Sequence, residues 1–208
     1  KQRVLFTPNF ACIDEYDLAF EMQCHITIDN LYLLQHWTDH FREQRIFLRI
    51  DPGSGAGHHK FVCTAGNESK FGIPTQDLEK TIALCNALKV QVVGLHAHSG
   101  SGILTPELWQ NTAELLIQLT QYFPEVHTIN LGGGLGVADK PGQQNIDLQA
   151  FDVGLQSIKS ENPNLRFWLE PGRYFVSDAG VLLAKVTQCK EKGKVRFIGI
   201  DTGMNSLI

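Results

Sequence analysis

Gly132-Gly133-Gly134-Leu135-Gly136 follows directly on the strand-like run that ends at Leu131. Consecutive glycines there let the backbone take positive φ and aim several N–H groups at one point, which is how a loop holds a phosphate without a cationic side chain. The competing reading is a flexible turn. The run matches neither the G-x-G-x-x-G fingerprint nor a P-loop, so a dinucleotide or Walker-type site is not implied. A second cluster is Gly94-Leu95-His96-Ala97-His98-Ser99-Gly100-Ser101-Gly102. Residues i and i+2 of a strand share a face about 6.7 Å apart, so His96 and His98 point the same way, with His98 nearer the carboxyl end. His98 there suits stacking on, or hydrogen bonding over, a planar ligand. His96 reads equally as a core histidine. A His-x-His metal site needs further ligands at other strand ends. His127 is at the wrong end of its strand and His58 and His59 fall in a loop, so no metal is expected. Ser99 and Ser101 either add hydroxyl donors or favour the turn.

The third cluster is Leu169-Glu170-Pro171-Gly172-Arg173. A carboxylate at the end of a buried strand is costly unless it is paired. Arg173 is the partner in the structural reading; in the functional one Arg173 faces an anion and Glu170 a protonated ring nitrogen. Lys70, in Ser69-Lys70-Phe71-Gly72, either faces the same site or is simply solvated.

The elements that must position these residues alternate strand and helix, as a parallel sheet with crossover helices requires. Strands are predicted at Val4–Phe6, Ile26–Ile28, Ile46–Ile50, Val90–His98, Val126–Leu131 and Arg166–Glu170. Helices are predicted over Ile13–Met22, Leu31–Phe41, from Thr75 (apolar Leu78, Ile82, Cys85, Leu88), from Thr105 (inward Leu108, Leu115, Leu119, Phe123) and over Asp147–Lys159. Thr75 and Thr105 are the expected capping hydroxyls, with Pro106 and Glu107 suited to a first turn. Asp51 to Gly72 reads as a long glycine-rich connection, a length usually tied to function or disorder. Six strands are too few to close an eight-stranded barrel and suit part of one, or an open doubly wound sheet. His98, the Gly132 turn and Glu170 then share the carboxyl rim of the strands, where barrel enzymes place their sites. From Val176 the character changes: two strands, Val176–Lys190 and Val195–Asp201, flank a charged turn with no helix between.

With 43% apolar and 19% charged residues over 208 positions, the chain can bury a substantial core, which excludes disorder as its main description. Lys and Arg total 18 against 22 Asp and Glu, and a net charge of −4 lacks the positive footprint of a nucleic-acid or anionic-membrane binder. Small molecules or other protein are the expected partners. No apolar run approaches the ~20 residues of a membrane span, and no signal-peptide order opens the chain. Five scattered cysteines without a Cys-x-x-Cys pair argue against a disulfide framework or structural zinc and match cytosolic thiols.

In order, Val4-Leu-Phe-Thr-Pro-Asn9, Leu48-Arg-Ile-Asp-Pro-Gly53, Gly57-His58-His59, Ser69-Lys-Phe-Gly-Ile73, Gly94-Leu-His-Ala-His98, Gly132-Gly-Gly-Leu-Gly136, Glu170-Pro-Gly-Arg173 and Asp201-Thr-Gly-Met-Asn205 resemble the pyridoxal-phosphate decarboxylase family built on the alanine-racemase-type barrel. The series is most similar to the diaminopimelate branch, including forms fused behind an aspartate kinase. The resemblance implies an α/β fold: a (β/α)8 TIM-type barrel, here partial with strands three to eight over 1–175, followed by the start of a β domain over 176–208. It implies pyridoxal 5'-phosphate as cofactor. His98 would stack on its ring, and Ser101 with Gly132, Gly133 and Gly134 would hold its phosphate. Glu170, followed by Pro171 and Gly172, would keep the ring nitrogen protonated and strengthen the ring as an electron sink. Glu170 and His98 are thus the expected catalytic residues. Arg173 would contact the phosphate or a substrate carboxylate, and Lys70 the substrate. The activity implied is decarboxylation of meso-diaminopimelate to L-lysine in a cytoplasmic homodimer. Ornithine-, arginine- or carboxynorspermidine-type decarboxylation is the alternative, as is a barrel that binds the cofactor without catalysis. The family's cofactor-linking lysine motif and its downstream cysteine and tyrosine segment have no counterpart here. The expectation is therefore a central portion of a decarboxylase, inactive by itself.

Overall fold

The computed structural model describes residues 3–53 and 69–206, so Gly57, His58, His59 and Cys63 lie outside the described residues. Seven parallel strands form one sheet: β1 (Leu5–Phe6), β2 (His25–Ile28), β3 (Arg45–Asp51), β4 (Ile73–Pro74), β5 (Gln91–His96), β6 (Thr128–Asn130) and β7 (Arg166–Trp168). Their spatial order is β1-β2-β3-β5-β6-β7, with β4 paired to the end of β3. A doubly wound sheet reverses its strand order partway, whereas this order never reverses; it is the arc of a (β/α)8 barrel. The six predicted strands are present. The two-residue β4 is additional, too short to leave a periodic signal.

Burial explains the strand sequences. Ile46, Phe47, Leu48 and Ile50 of β3 are all buried, as expected for a strand covered on both faces, and Arg49 is the polar exception at 8% exposure. Helices α1 (Ile13–Glu21), α2 (Tyr32–His36), α3 (Thr38–Phe41), α4 (Leu78–Leu88), α5 (Glu107–Leu119) and α6 (Leu148–Glu161) intervene. The single helix predicted over Leu31–Phe41 is two, because Trp37 leaves the helical region (φ −115°, ψ 42°) and packs edge-on against Tyr16 and Tyr32.

The predicted threonine caps are not made. Thr75 begins a 3-10 turn, Thr75–Asp77, that leads into α4. Before α5, Pro106 already has helical dihedrals and no side chain caps the helix. Asp147 does cap α6, its Oδ1 accepting from the N–H groups of Gln149 and Ala150 at 2.9 and 3.0 Å. The inward stripe of α5 is centred on Trp109, Ala113, Leu116 and Leu119; Leu108 and Leu115 are only partly buried. Trp109 meets Phe151 of α6 edge-on at 5.3 Å, which joins the two helices over the sheet.

The chain divides into two compact units, Lys1–Tyr174 and Phe175–Ile208. The second contains an antiparallel hairpin, β8 (Val186–Lys192) and β9 (Val195–Ile200), closed by Gly193 and Lys194 with Gly193 at φ 62°. The strand predicted from Val176 starts only at Val186, because Arg173–Val176 forms a helical turn, α7, and the chain then bends before extending. No described helix is long and apolar enough to cross a membrane.

Candidate active site

The loops after β5, β6 and β7 meet at the carboxyl rim because glycines let their backbones touch. Ile103 N–H donates to Gly134 O and Gly136 N–H to Ile103 O, both at 2.8 Å, tying the first two loops together. Glu170 N–H donates to Gly132 O at 2.8 Å and ties in the third. A Cβ on Gly134, whose φ is +96°, would lie 2.2 Å from Gly100 O; one on Gly133 would lie 2.4 Å from Glu170 O. No side chain fits at either position.

His98, Ser101, Gly133, Gly134, Glu170, Gly172 and Arg173 line one cavity of about 200 Å³. Seven of the residues singled out by sequence therefore converge. Gly132 and Pro171 shape the adjoining backbone without lining the cavity. Lys70 does not line this cavity; its Nζ is 5.5 Å from the ring centre of Phe10 and 5.2 Å from that of Phe71. Ser99 turns away to bond the Thr112 hydroxyl of α5 at 2.8 Å. His127 bonds its neighbour Thr128, and no cluster of metal-ligating side chains exists among the described residues.

Hydrogen bonds define the protonation states. Gly133 N–H donates to His98 Nδ1 at 3.2 Å, which requires that nitrogen to be unprotonated. Burial, helped by the nearby charge of Arg49, lowers the His98 pKa to about 4, so the imidazole is neutral at neutral pH. Glu170 Oε1 accepts from Asn130 Nδ2 at 2.8 Å, and Oε2 lies 3.6 Å from His96 Nε2. Burial by itself would raise this carboxyl; contact with His96, the Asn130 hydrogen bond and His98 outweigh it and bring it down to about 2. Burial holds His96 neutral. The His96 contact and the Asn130 amide, with the Arg49 cation nearby, are thus the groups that favour the anion.

Sequence reasoning missed Asn130. Its Oδ1 accepts from Gly132 N–H at 2.9 Å while its amide donates to Glu170, so one buried side chain sets both the glycine turn and the carboxylate. Gly132 and Gly133 N–H groups are therefore engaged within the protein. Among the described residues, those of Gly134 and Leu135 have no acceptor. Arg49 was missed as well. Its guanidinium lies 4.5 Å over the Phe71 ring and interacts electrostatically with Asp29, Glu170 and Asp51.

Comparison with known proteins agrees with this fold. Residues 1–177 match the profile of the pyridoxal-dependent decarboxylase, pyridoxal binding domain family. The diaminopimelate decarboxylase of Methanothermobacter thermautotrophicus is 34% identical over 99% of the chain and 51% of its own length. That of Escherichia coli strain K12 is 28% identical over 99% of the chain and 50% of its own length. A diaminopimelate decarboxylase crystal structure superposes with a TM-score of 0.80 at 26% identity, covering 97% of this chain and 49% of that one. The Helicobacter pylori enzyme, complexed with L-lysine, shares the fold with a TM-score of 0.79 at 24% identity, over 98% of this chain and 53% of that one. The chain spans about half the length of the curated relatives it matches.

Proposed function

The chain belongs to the pyridoxal-dependent decarboxylase family, and on that premise we propose that it supplies the pyridoxal-phosphate cup of an enzyme converting meso-diaminopimelate to L-lysine and carbon dioxide. The observation that carries the reading is Glu170, an ionised carboxylate held by Asn130 at the rim of a cavity that also contains a neutral histidine, an unengaged pair of backbone N–H groups and an arginine. That donor set fits pyridoxal phosphate at both ends. The N–H groups of Gly134 and Leu135, the Ser101 hydroxyl and Arg173 suit a phosphate. An ionised carboxylate suits a protonated ring nitrogen.

The bound cofactor supplies an electron sink for the pair left when the α-carboxylate departs. The chain's own residues make that sink effective. Glu170 stays ionised throughout the physiological range and holds a proton on the ring nitrogen. His98 is fixed by the Gly133 N–H, and its uncharged ring can lie against the cofactor without repelling that proton. Gly132 bonds Asn130 and so transmits the turn's position to Glu170. Arg173 serves the phosphate or the substrate carboxylate.

The same reading makes residues 1–175 the cofactor domain and 176–208 the opening of a β domain. It makes the complete protein a cytoplasmic homodimer that takes an amino acid and neither nucleic acid nor membrane. The diaminopimelate decarboxylases among its relatives favour that substrate over ornithine or arginine. The test is release of carbon dioxide and L-lysine by the full-length protein loaded with pyridoxal phosphate, offered meso-diaminopimelate, ornithine and arginine in parallel. Turnover of ornithine or arginine alone would overturn the substrate, and cofactor binding without turnover of any of the three would leave a carboxynorspermidine-type enzyme or a non-catalytic barrel.

A further inference from the structure

Strand β5 carries a histidine that the cofactor cup described above does not use. His96 is 1% exposed, and neither of its ring nitrogens has a hydrogen-bond partner among the described residues. An apolar side chain would fill the position without stranding two polar atoms, so the imidazole calls for an explanation. Its neighbours supply one. In the sheet register His96 stands opposite Arg49 on β3 and Asn130 on β6. Its Nε2 is 3.6 Å from Glu170 Oε2, while Asn130 Nδ2 donates to Oε1 at 2.8 Å. Side chains from two adjacent strands thus approach the two oxygens of a single carboxylate.

We propose that His96 is a positioning residue that, together with Asn130, holds the Glu170 carboxylate from two sides and fixes the anion that faces the cofactor's ring nitrogen. The assignment rests on the reading of Glu170 given above. Four groups face His96: Arg49 from β3, Asn130 from β6, Glu170 after β7, and His98 beyond the end of its own strand. Burial keeps its ring neutral against the pull of Glu170, with Arg49 acting in the same direction as burial. A neutral imidazole offers one N–H, and the carboxylate is the acceptor within reach. The 3.6 Å approach is longer than a hydrogen bond, and contacts of this kind tighten when a ligand loads the site. An asparagine alone would leave Oε2 free to swing; the imidazole closes that freedom.

The test uses the full-length protein. In its cofactor-free form, carbon-13 NMR of labelled glutamate, with Glu170 assigned through Glu170→Gln, follows the carboxyl titration directly. His96→Leu, which keeps bulk and removes both nitrogens, should raise the Glu170 midpoint by about one pH unit. His96→Gln, which restores an N–H donor, should recover most of that shift. In the loaded enzyme His96→Leu should move the pH midpoint of the cofactor's visible absorption and lower kcat roughly tenfold or more, with KM changed less than about threefold. Should His96→Leu not fold, His96→Gln decides the matter by keeping or losing the low Glu170 midpoint. Wild-type titration of Glu170 in His96→Leu, or identical behaviour of the Leu and Gln variants, would overturn the proposal. A cofactor spectrum unchanged in Glu170→Gln would overturn the reading of Glu170 and the cofactor half of the proposal, while the cofactor-free titration would still decide whether His96 holds the carboxylate.

Discussion

Replacing Gly134 by alanine tests whether the cup depends on backbone contact between loops. The added Cβ would lie 2.2 Å from Gly100 O, 3.1 Å from its carbonyl carbon and 3.3 Å from Ile103 Cδ1. The first two are backbone atoms and cannot rotate away. The loops after β5 and β6 must therefore part by about 1.2 Å to restore an ordinary contact of 3.4 Å, against the two 2.8 Å hydrogen bonds that Ile103 makes between them. Overpacking of this kind costs about 1–3 kcal/mol, and an alanine forced to the positive φ of Gly134 roughly 1–2 kcal/mol more. The expected loss is about 3 kcal/mol, or a melting temperature lowered by about 9 °C for a domain of this size. Gly172→Ala is the comparison, because its Cβ would meet nothing within 4 Å and stability should hold within about 0.5 kcal/mol. Thermal unfolding reports stability. Titration with pyridoxamine phosphate, which needs no cofactor-linking lysine, reports the anion site. Gly134→Ala should weaken binding at least roughly tenfold, equivalent to about 1.4 kcal/mol. A Gly134→Ala protein that melts with Gly172→Ala and binds as the wild type would refute the contact argument.

Glu170 and His98 both have depressed folded-state pKa values, near 2 and 4, so the unfolded chain binds more protons as pH falls. Stability from His98 should be present above pH 6.5 and lost as pH falls toward about 4, and that from Glu170 present above about 4.5 and lost toward about 2; urea denaturation against pH in His98→Phe and Glu170→Gln should each flatten its own window. Asn130→Ala strands the buried Gly132 N–H and should cost about 1–3 kcal/mol in chemical denaturation. Asn130→Asp keeps an acceptor for that N–H and places a second anion beside Glu170, so it should raise the Glu170 titration midpoint. Trp109 is fully buried and its Nε1 has no acceptor among the described residues, so Trp109→Phe, which removes that donor, should cost less than about 1.5 kcal/mol while Trp109→Ala costs about 3–5 kcal/mol.

The strands were legible because covered parallel strands are continuous apolar runs bounded by turn residues, and Ile46 to Ile50 is such a run. The rim was legible because glycine clusters and a terminal carboxylate are unusual at strand ends. Helix details were not. Nothing in Tyr32 to Phe41 marks the break at Trp37, which follows from how an indole packs against Tyr16 and Tyr32, a tertiary contact. Thr105 makes no side-chain cap even though Pro106 has the dihedrals expected of a first helical position. Lys70, at the end of the long loop, is read from sequence as either facing the site or solvated; its ammonium lies over two phenylalanine rings, a tertiary placement with no sequence signal. Asn130 was invisible for a different reason: before three glycines it reads as a turn former, and its bridging role exists only once β6 and β7 are paired.

Register explains why these missed residues act together. Arg49, His96 and Asn130 are directly opposite one another across β3, β5 and β6, and all three are buried. Asn9 extends the polar level by donating to Asp29 at 2.6 Å, and Asp29 is the nearest counter-charge to Arg49 in its effect. A row of polar groups through an apolar core is costly unless each has a complement. Here the complements alternate: Asp29 carries an anion, Arg49 a cation, and Glu170 the next anion along. Arg49 is the member that couples the row to chemistry. Its charge favours the ionised form of Glu170 and, after burial, is the next influence holding His98 neutral. One guanidinium away from the cavity lining thereby supports both protonation states that the proposed cofactor site requires. Converting Arg49 to methionine would therefore change two titrations at once, raising Glu170 and releasing His98 upward, where a purely local packing role would change neither.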